Sequence, residues 1–210
     1  MRCRRTANAG VLLTLDGVTV LLDGVCRPSG SYLGTSEPLR QSILDCPPDI
    51  IAFTHGHLDH FDRAFANEIY QKTLRSVLGP EGLLKQGLCT EAVTVAGVTV
   101  MPVPSRHIGR VGKETAHVSY LVKGSKTVLF TGDAAPSLWK DMQVDVLIAP
   151  YAYAITEAGW KAACNLAKKI MIVHMPLPEQ DPDGLWQALK NTVGQDDRLI
   201  LPEMDQTITL

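Results

Sequence analysis

Thr54-His55-Gly56-His57-Leu58-Asp59-His60-Phe61-Asp62, entered from the apolar run Ile50-Ile51-Ala52-Phe53, decides how the rest of the chain is read. Within it, four metal-ligand side chains fall in the order H-x-H-x-D-H. The chain has only six histidines, and at its own residue frequencies chance would produce this pattern roughly a few times in ten thousand. In an extended segment successive side chains alternate sides, so His55 and His57 point the same way and can share one cation. Asp59 and His60 follow where the chain turns toward a helix, so they can face a second cation beside the first.

Working outward, four more stretches end apolar runs in an acid or a histidine. Val20-Leu21-Leu22-Asp23-Gly24 lies upstream; Pro104-Ser105-Arg106-His107, Val128-Leu129-Phe130-Thr131-Gly132-Asp133 and Ile170-Met171-Ile172-Val173-His174 lie downstream. With H-x-H-x-D-H among them, these five stretches resemble, in order and over nearly the whole chain, the motifs of the metallo-β-lactamase-fold superfamily. That resemblance implies an α/β (α+β) fold, a four-layer αβ/βα sandwich of two mixed sheets with outer helices. It also implies two divalent metal ions. His55, His57 and His107 would hold one, Asp59, His60 and His174 the other, and Asp133 would bridge them. Asp23 would sit behind the ligands and orient a histidine ring. Imidazole and carboxylate donors without thiolates suit Zn²⁺ best, with Mn²⁺ or Fe as alternatives.

Length and composition fit a single domain over 1–210 with a large core. Apolar residues make up 45% and charged residues 20%, and the formal net charge is −2. Such a chain is neither disordered nor generally attractive to nucleic acid. No apolar run approaches the ~20 residues that span a bilayer, and the basic start Met1-Arg2-Cys3-Arg4-Arg5 lacks signal-peptide form. The expected location is the cytoplasm. Cys3, Cys26, Cys46, Cys89 and Cys164 are scattered and odd in number, so they read as small hydrophobes rather than disulfides or a zinc site. The expected partner is a small-molecule substrate, and a homo-oligomer is compatible with the sequence.

The local patterns predict hairpins first and β-α units later. Val11–Leu15 and Val18–Leu22 join through Asp16-Gly17, a strong hairpin turn. A turn-rich loop, Arg27 to Gly34, should hang over the metal site. A helix from Glu37 to Leu44, the strand Ile50 to Phe53 and a helix from Phe61 to Thr73 follow. Then come a strand from Ser76 to Leu78 and a helix from Pro80 to Gln86, with proline at its first position. Two more hairpins pair Val93–Val95 with Val98–Val103 and His117–Val122 with Thr127–Phe130. The remainder reads as a short helix at Ser137–Asp141, the strand Val144–Ala149, a helix at Thr156–Lys168, the strand ending at His174, a helix at Pro182–Asn191 and two closing strands.

The implied chemistry is hydrolysis. A metal-bridging hydroxide, oriented by Asp59 and Asp133, would attack a phosphodiester, lactone or other ester. His117, the one histidine outside the motifs, reads either as a structural residue or as a general acid at the rim. Arg106, Arg110 and Lys113 flank His107; they are either solvated surface or the subsite for an anionic substrate, with Arg106 and Arg110 as the contacts. The small size and the form of the motifs look most like the branch of ascorbate-phosphate lactonase and acyl-ethanolamine phospholipase D. The alternative is an iron-dependent oxidoreductase of the same fold, resembling the sulfur dioxygenases.

Overall fold

A computed structural model describes residues 1–109, 115–139 and 141–210. In chain order the first half comprises β1 (Arg2–Arg5), β2 (Val11–Leu15), β3 (Val18–Leu22), α1 (Glu37–Asp45), β4 (Ile50–Ala52), α2 (Arg63–Thr73), β5 (Val77–Leu78) and β6 (Leu88–Cys89). The second half comprises β7 (Val93–Val95), β8 (Val98–Pro104), β9 (Val118–Lys123), β10 (Thr127–Phe130), β11 (Val144–Pro150), α3 (Glu157–Leu166), β12 (Ala167–Val173), α4 (Leu185–Val193), β13 (Leu199–Ile200) and β14 (Thr207–Thr209). Among the described residues these strands form two seven-stranded sheets, β14-β1-β2-β3-β4-β5-β6 and β13-β12-β11-β10-β9-β8-β7. Each sheet is mixed: antiparallel hairpins give way to parallel pairs from β3 to β6 and from β10 to β13.

Strand alternation sorts the side chains into layers. Val11, Leu13 and Leu15 of the first sheet meet Val128, Phe130, Val146, Ile148, Met171 and Val173 of the second in one core. The intervening residues Leu129, Leu147, Ile170 and Ile172 face outward and are covered by α3 and α4. On the other side, Leu21, Ile51 and Phe53 pack beneath α1 and α2 through Leu39, Ile43, Phe65 and Ile69. The result is the four-layer αβ/βα sandwich. Among the described residues no helix is long and apolar enough to cross a membrane.

The hairpin turns form where their residues require. Asp16 and Gly17 have φ of 50° and 85°, and Ala96 and Gly97 of 44° and 87°, both central positions lying in the left-handed region that matches strand twist. Helix α2 starts later than predicted, because Asp62 caps it by accepting from the Ala64 and Phe65 amides at 2.8 and 3.3 Å. Phe61 therefore lies ahead of the helix, in the core. Pro80 to Gln86 is not a helix: Gly82 and Gly87 adopt φ of 80° and 69°, which breaks the turn and leads into β6. Ser137–Asp141 becomes a 3₁₀ turn at Pro136–Leu138. Helix α3 ends at Leu166, since the chain enters β12 directly. Helix α4 starts at Leu185, where Asp181 accepts from the Leu185 and Trp186 amides, both at 2.9 Å. The sequence reading missed β1, a basic segment whose Cys3 points into the core while its arginines stay near the surface.

Candidate metal centre

At one end of the sandwich the two sheets are stitched together by hydrogen bonds. The Tyr120 hydroxyl donates to Phe53 O at 2.9 Å, Val118 N to Thr54 O at 3.0 Å and His174 N to Asn8 O at 3.0 Å. Each predicted ligand leaves a strand at this end. The chain turns sharply there, and two of the turns use backbone that side chains rarely adopt: Asp23 and His174 have φ of 46° and 59°. Gly132 (φ 50°) lets the Thr131-Gly132-Asp133 turn cross Thr54 closely, since a Cβ there would come within 2.6 Å of Thr54 Oγ1.

All seven predicted metal ligands converge. His55, His57 and His107 bring one donor atom each into a single cluster, as do Asp59, His60 and His174. His55 Nε2 and His57 Nδ1 lie 3.1 Å apart. His174 Nε2 is 3.2 Å from Asp59 Oδ2. Asp133 stands between the clusters, with Oδ1 3.4 Å from His60 Nε2 and Oδ2 3.3 Å from His107 Nε2 and 3.7 Å from His174 Nε2. These contacts are close but badly aligned. His60 Nε2, His107 Nε2, both ring nitrogens of His174 and Asp133 Oδ1 are buried without a hydrogen-bond partner. Buried polar atoms left in this way are costly unless something else satisfies them, and a shared cation would satisfy nearly all of these at once. The donor set therefore fits a pair of divalent ions.

The surrounding hydrogen bonds fix which ring nitrogen is free. Asp23, fully buried, meets His60 Nδ1 at 2.8 Å and receives the Thr54 hydroxyl at 2.6 Å and the Thr54 amide at 2.7 Å. With its proton given to Asp23, Thr54 Oγ1 is left to accept from His55 Nδ1 at 3.0 Å. Likewise His107 Nδ1 donates to Ile108 O at 2.7 Å. In all three rings Nδ1 holds the proton and Nε2 faces the centre. The electrostatics agree. Burial works against charge on His60, yet Asp133 and Asp23 outweigh it and hold the imidazole well above its ordinary range. Burial likewise opposes ionisation of Asp133, but His174, His60 and His107 keep its carboxyl well below the usual range. A field that holds a proton on His60 would equally hold a cation.

His117 is brought to the same place but not as a ligand. Its ring lies 5.1 Å from that of His55, yet Nε2 accepts from the Asp133 amide at 3.1 Å and Nδ1 meets Ser105 Oγ at 2.7 Å. Burial, with the neighbouring histidines, pushes it down to about 3, so it is neutral. Both nitrogens have partners within the protein, which favours the structural alternative for His117 over the general acid. Arg106 is exposed at the edge of the site; Arg110 and Lys113 lie outside the described residues.

The loop from Arg27 to Gly34 does pack on the centre, for Arg27 N donates to Leu58 O at 2.8 Å and the Tyr32 ring meets His174 edge-on at 4.5 Å. Tyr151, with its ring 6.0 Å from that of His174, flanks it as well. Neither tyrosine was predicted. Tyr151 could have been, since it directly follows a strand, as the ligands do. Cys26, by contrast, is buried and its thiol is pushed up to about 11, so it is a packing residue.

No family model matches the chain. Among curated proteins it is 29% identical over 172 residues to a UPF0173 metal-dependent hydrolase of Methanosphaerula palustris, covering 69% of this chain and 78% of that one. It is 24% identical to another from Methanopyrus kandleri, covering 97% of both. Among solved structures, a possible metal-dependent hydrolase from Veillonella parvula superposes with a TM-score of 0.74 at 17% identity, over 100% of this chain and 99% of the other. The metallo-β-lactamase fold protein YhfI of Bacillus subtilis does so at 0.62 and 12%, over 99% of each. The chain has the metallo-β-lactamase fold. The same fold in CmlA, a diiron β-hydroxylase from Streptomyces venezuelae, superposes at 0.61 and 18%, over 100% of this metallo-β-lactamase-fold chain and 54% of CmlA.

Proposed function

We propose that the chain is a metal-dependent hydrolase holding two divalent cations, Zn²⁺ first among them, and cleaving an ester of a small anionic substrate. The observation that carries this reading is the pair of three-ligand clusters with the Asp133 carboxylate between them. Imidazole and carboxylate donors without thiolate suit zinc. Two cations at these positions would lower the pKa of a shared water toward neutrality and polarise the bond to be broken. The residues of the chain supply the rest. Asp59 and Asp133 point carboxylate oxygens at the space between the clusters and can orient an attacking water. Tyr32 and Tyr151 bring their rings to 4.5 and 6.0 Å from that of His174, and their hydroxyls are the candidates to donate to a substrate oxygen. Arg106 is exposed and has no acidic partner within ion-pair distance among the described residues, which leaves its guanidinium available to a phosphate or carboxylate. The curated relatives, both named metal-dependent hydrolases, support the reaction class. Within it, a phosphodiester, a lactone and a carboxylic ester are the bonds to try.

A second reading, an iron-dependent oxidoreductase, is favoured by the likeness to the diiron hydroxylase CmlA. Metal analysis of the purified protein, followed by a panel of phosphodiesters, phosphorylated lactones and acyl esters, separates the two. The expected outcome is a colourless protein with two equivalents of zinc and turnover of at least one anionic ester. A coloured protein with two irons and no ester turnover would overturn the hydrolase in favour of the oxidoreductase.

A further inference from the structure

His117 is the histidine that the metal clusters leave unused, and its hydrogen bonds belong to a continuous chain of contacts. The Asp133 amide can only donate, so His117 Nε2 accepts at 3.1 Å and carries no proton. The proton is therefore on Nδ1, which donates to Ser105 Oγ at 2.7 Å. Ser119 has one hydroxyl proton, and the Thr131 carbonyl, 2.7 Å away and able only to accept, takes it. Ser119 Oγ also lies 3.0 Å from Ser105 Oγ, which joins the two contacts. The chain starts at the Asp133 amide and ends at the Thr131 carbonyl, so both ends lie in the same three-residue turn. It ties that turn to Ser105, just past β8, and to Ser119 in β9. On the opposite side the Asp133 carbonyl accepts from Ile108 N at 2.8 Å, one residue beyond the ligand His107.

We propose that His117 is a positioning residue: as a neutral acceptor of the Asp133 amide proton, it fixes the backbone from which the Asp133 carboxylate reaches both metal clusters. This deepens the metal-centre reading and rests on it for the role of the carboxylate. It is distinct from a role in proton transfer to substrate, for which His117 has no free nitrogen. It also accounts for a buried, polar, doubly bonded ring packed within 5.8 Å of the His107 ring without ligating anything.

The test compares His117→Gln, whose amide oxygen can still accept and whose amide nitrogen can still donate, with His117→Phe, which fills the space but accepts nothing. Two readouts are taken: hydrogen exchange at the Asp133 amide, followed by NMR, and release of Zn²⁺ to a chelator. His117→Phe should exchange the Asp133 amide about a hundredfold faster than wild type and bind Zn²⁺ about 10–100-fold more weakly, as removal of outer partners of metal ligands does. His117→Gln should stay within a fewfold of wild type in both. Equal protection of the Asp133 amide in wild type and His117→Phe would overturn the proposal, as would a folded His117→Gln that behaves like the phenylalanine variant. If His117→Phe does not fold, Ser105→Ala decides. It removes the acceptor of Nδ1–H, frees the ring to change tautomer and should speed Asp133 exchange about tenfold; no change overturns the proposal. Neither readout uses turnover. A protein that binds zinc and obeys these results yet cleaves no ester would remove the hydrolase and leave His117 in place.

Discussion

His55, His57 and His107 bring three imidazoles and no formal charge to their cluster, whereas Asp59, His60 and His174 bring a carboxylate and lie deeper. His57 stands partly exposed at the rim, while His60 is wholly buried and His174 nearly so. Burial lowers the effective dielectric and strengthens the pull of an anionic ligand on a cation. The inner cluster should therefore fill first and empty last, and the outer one should be the position that meets solvent and substrate. Two candidate clusters of three ligands each thus differ through charge and depth, and the Asp133 carboxylate stands between them. The largest expected effect comes from cutting that link. Asp133→Asn keeps the size of the side chain but cannot share a negative charge between two cations. Turnover should fall by on the order of a hundredfold or more, the thermal transition should remain cooperative, and titration with Zn²⁺ should show two independent weak sites. Wild-type turnover in a folded Asp133→Asn protein would remove the carboxylate from the mechanism.

Much of this comparison was legible in the sequence, because the inner and outer ligands share one contiguous motif. His55, His57, Asp59 and His60 sit within six residues, and strand alternation alone separates the first pair from the second. His107, Asp133 and His174 were readable only through resemblance, since nothing local distinguishes a histidine ending a strand from any other. Hairpins at Asp16-Gly17 and Ala96-Gly97 were legible to the residue, as their turns require left-handed backbone. Pro80 misled, because a helix-start signal was weighed without the glycines that follow it. The work of Asp23 and His117 depends on partners far away in sequence. Asp23 binds groups more than thirty residues on, and His117 depends on an amide sixteen residues on. An amide leaves no mark in a sequence.

Asp23 gives the next effect in size, because it serves the two clusters unequally. It touches His60 directly and His55 only through Thr54. Asp23→Asn presents an amide donor where the His60 N–H and the Thr54 O–H both require an acceptor, so the inner cluster should suffer more. The expected loss is about 10–100-fold in Zn²⁺ affinity at the inner site and less at the outer one. Stepwise release to a chelator measures both constants. Equal losses at the two sites would mean that Asp23 holds the fold of this corner rather than the His60 ring.

Thr54→Val is the smallest and most selective change. Valine has nearly the shape of threonine, so packing beneath the motif is kept, and the Thr54 amide still donates to Asp23 Oδ1. Only the hydroxyl is lost, and with it two bonds: one to Asp23, which retains the His60 ring as partner, and one to His55 Nδ1. The His55 ring then keeps its place but loses the acceptor that holds its proton on Nδ1. The free energy at stake is that of a single hydrogen bond, about 1 kcal/mol, or roughly a fivefold to tenfold weaker outer site. The inner site should be unchanged within a factor of about two. If the inner site weakens as much as the outer, Thr54 acts through Asp23 on His60 as well, and the clusters are coupled behind the ligands as they are in front through Asp133. If neither weakens, the orientation of His55 is set by packing alone, and the relay from Asp23 ends at Thr54.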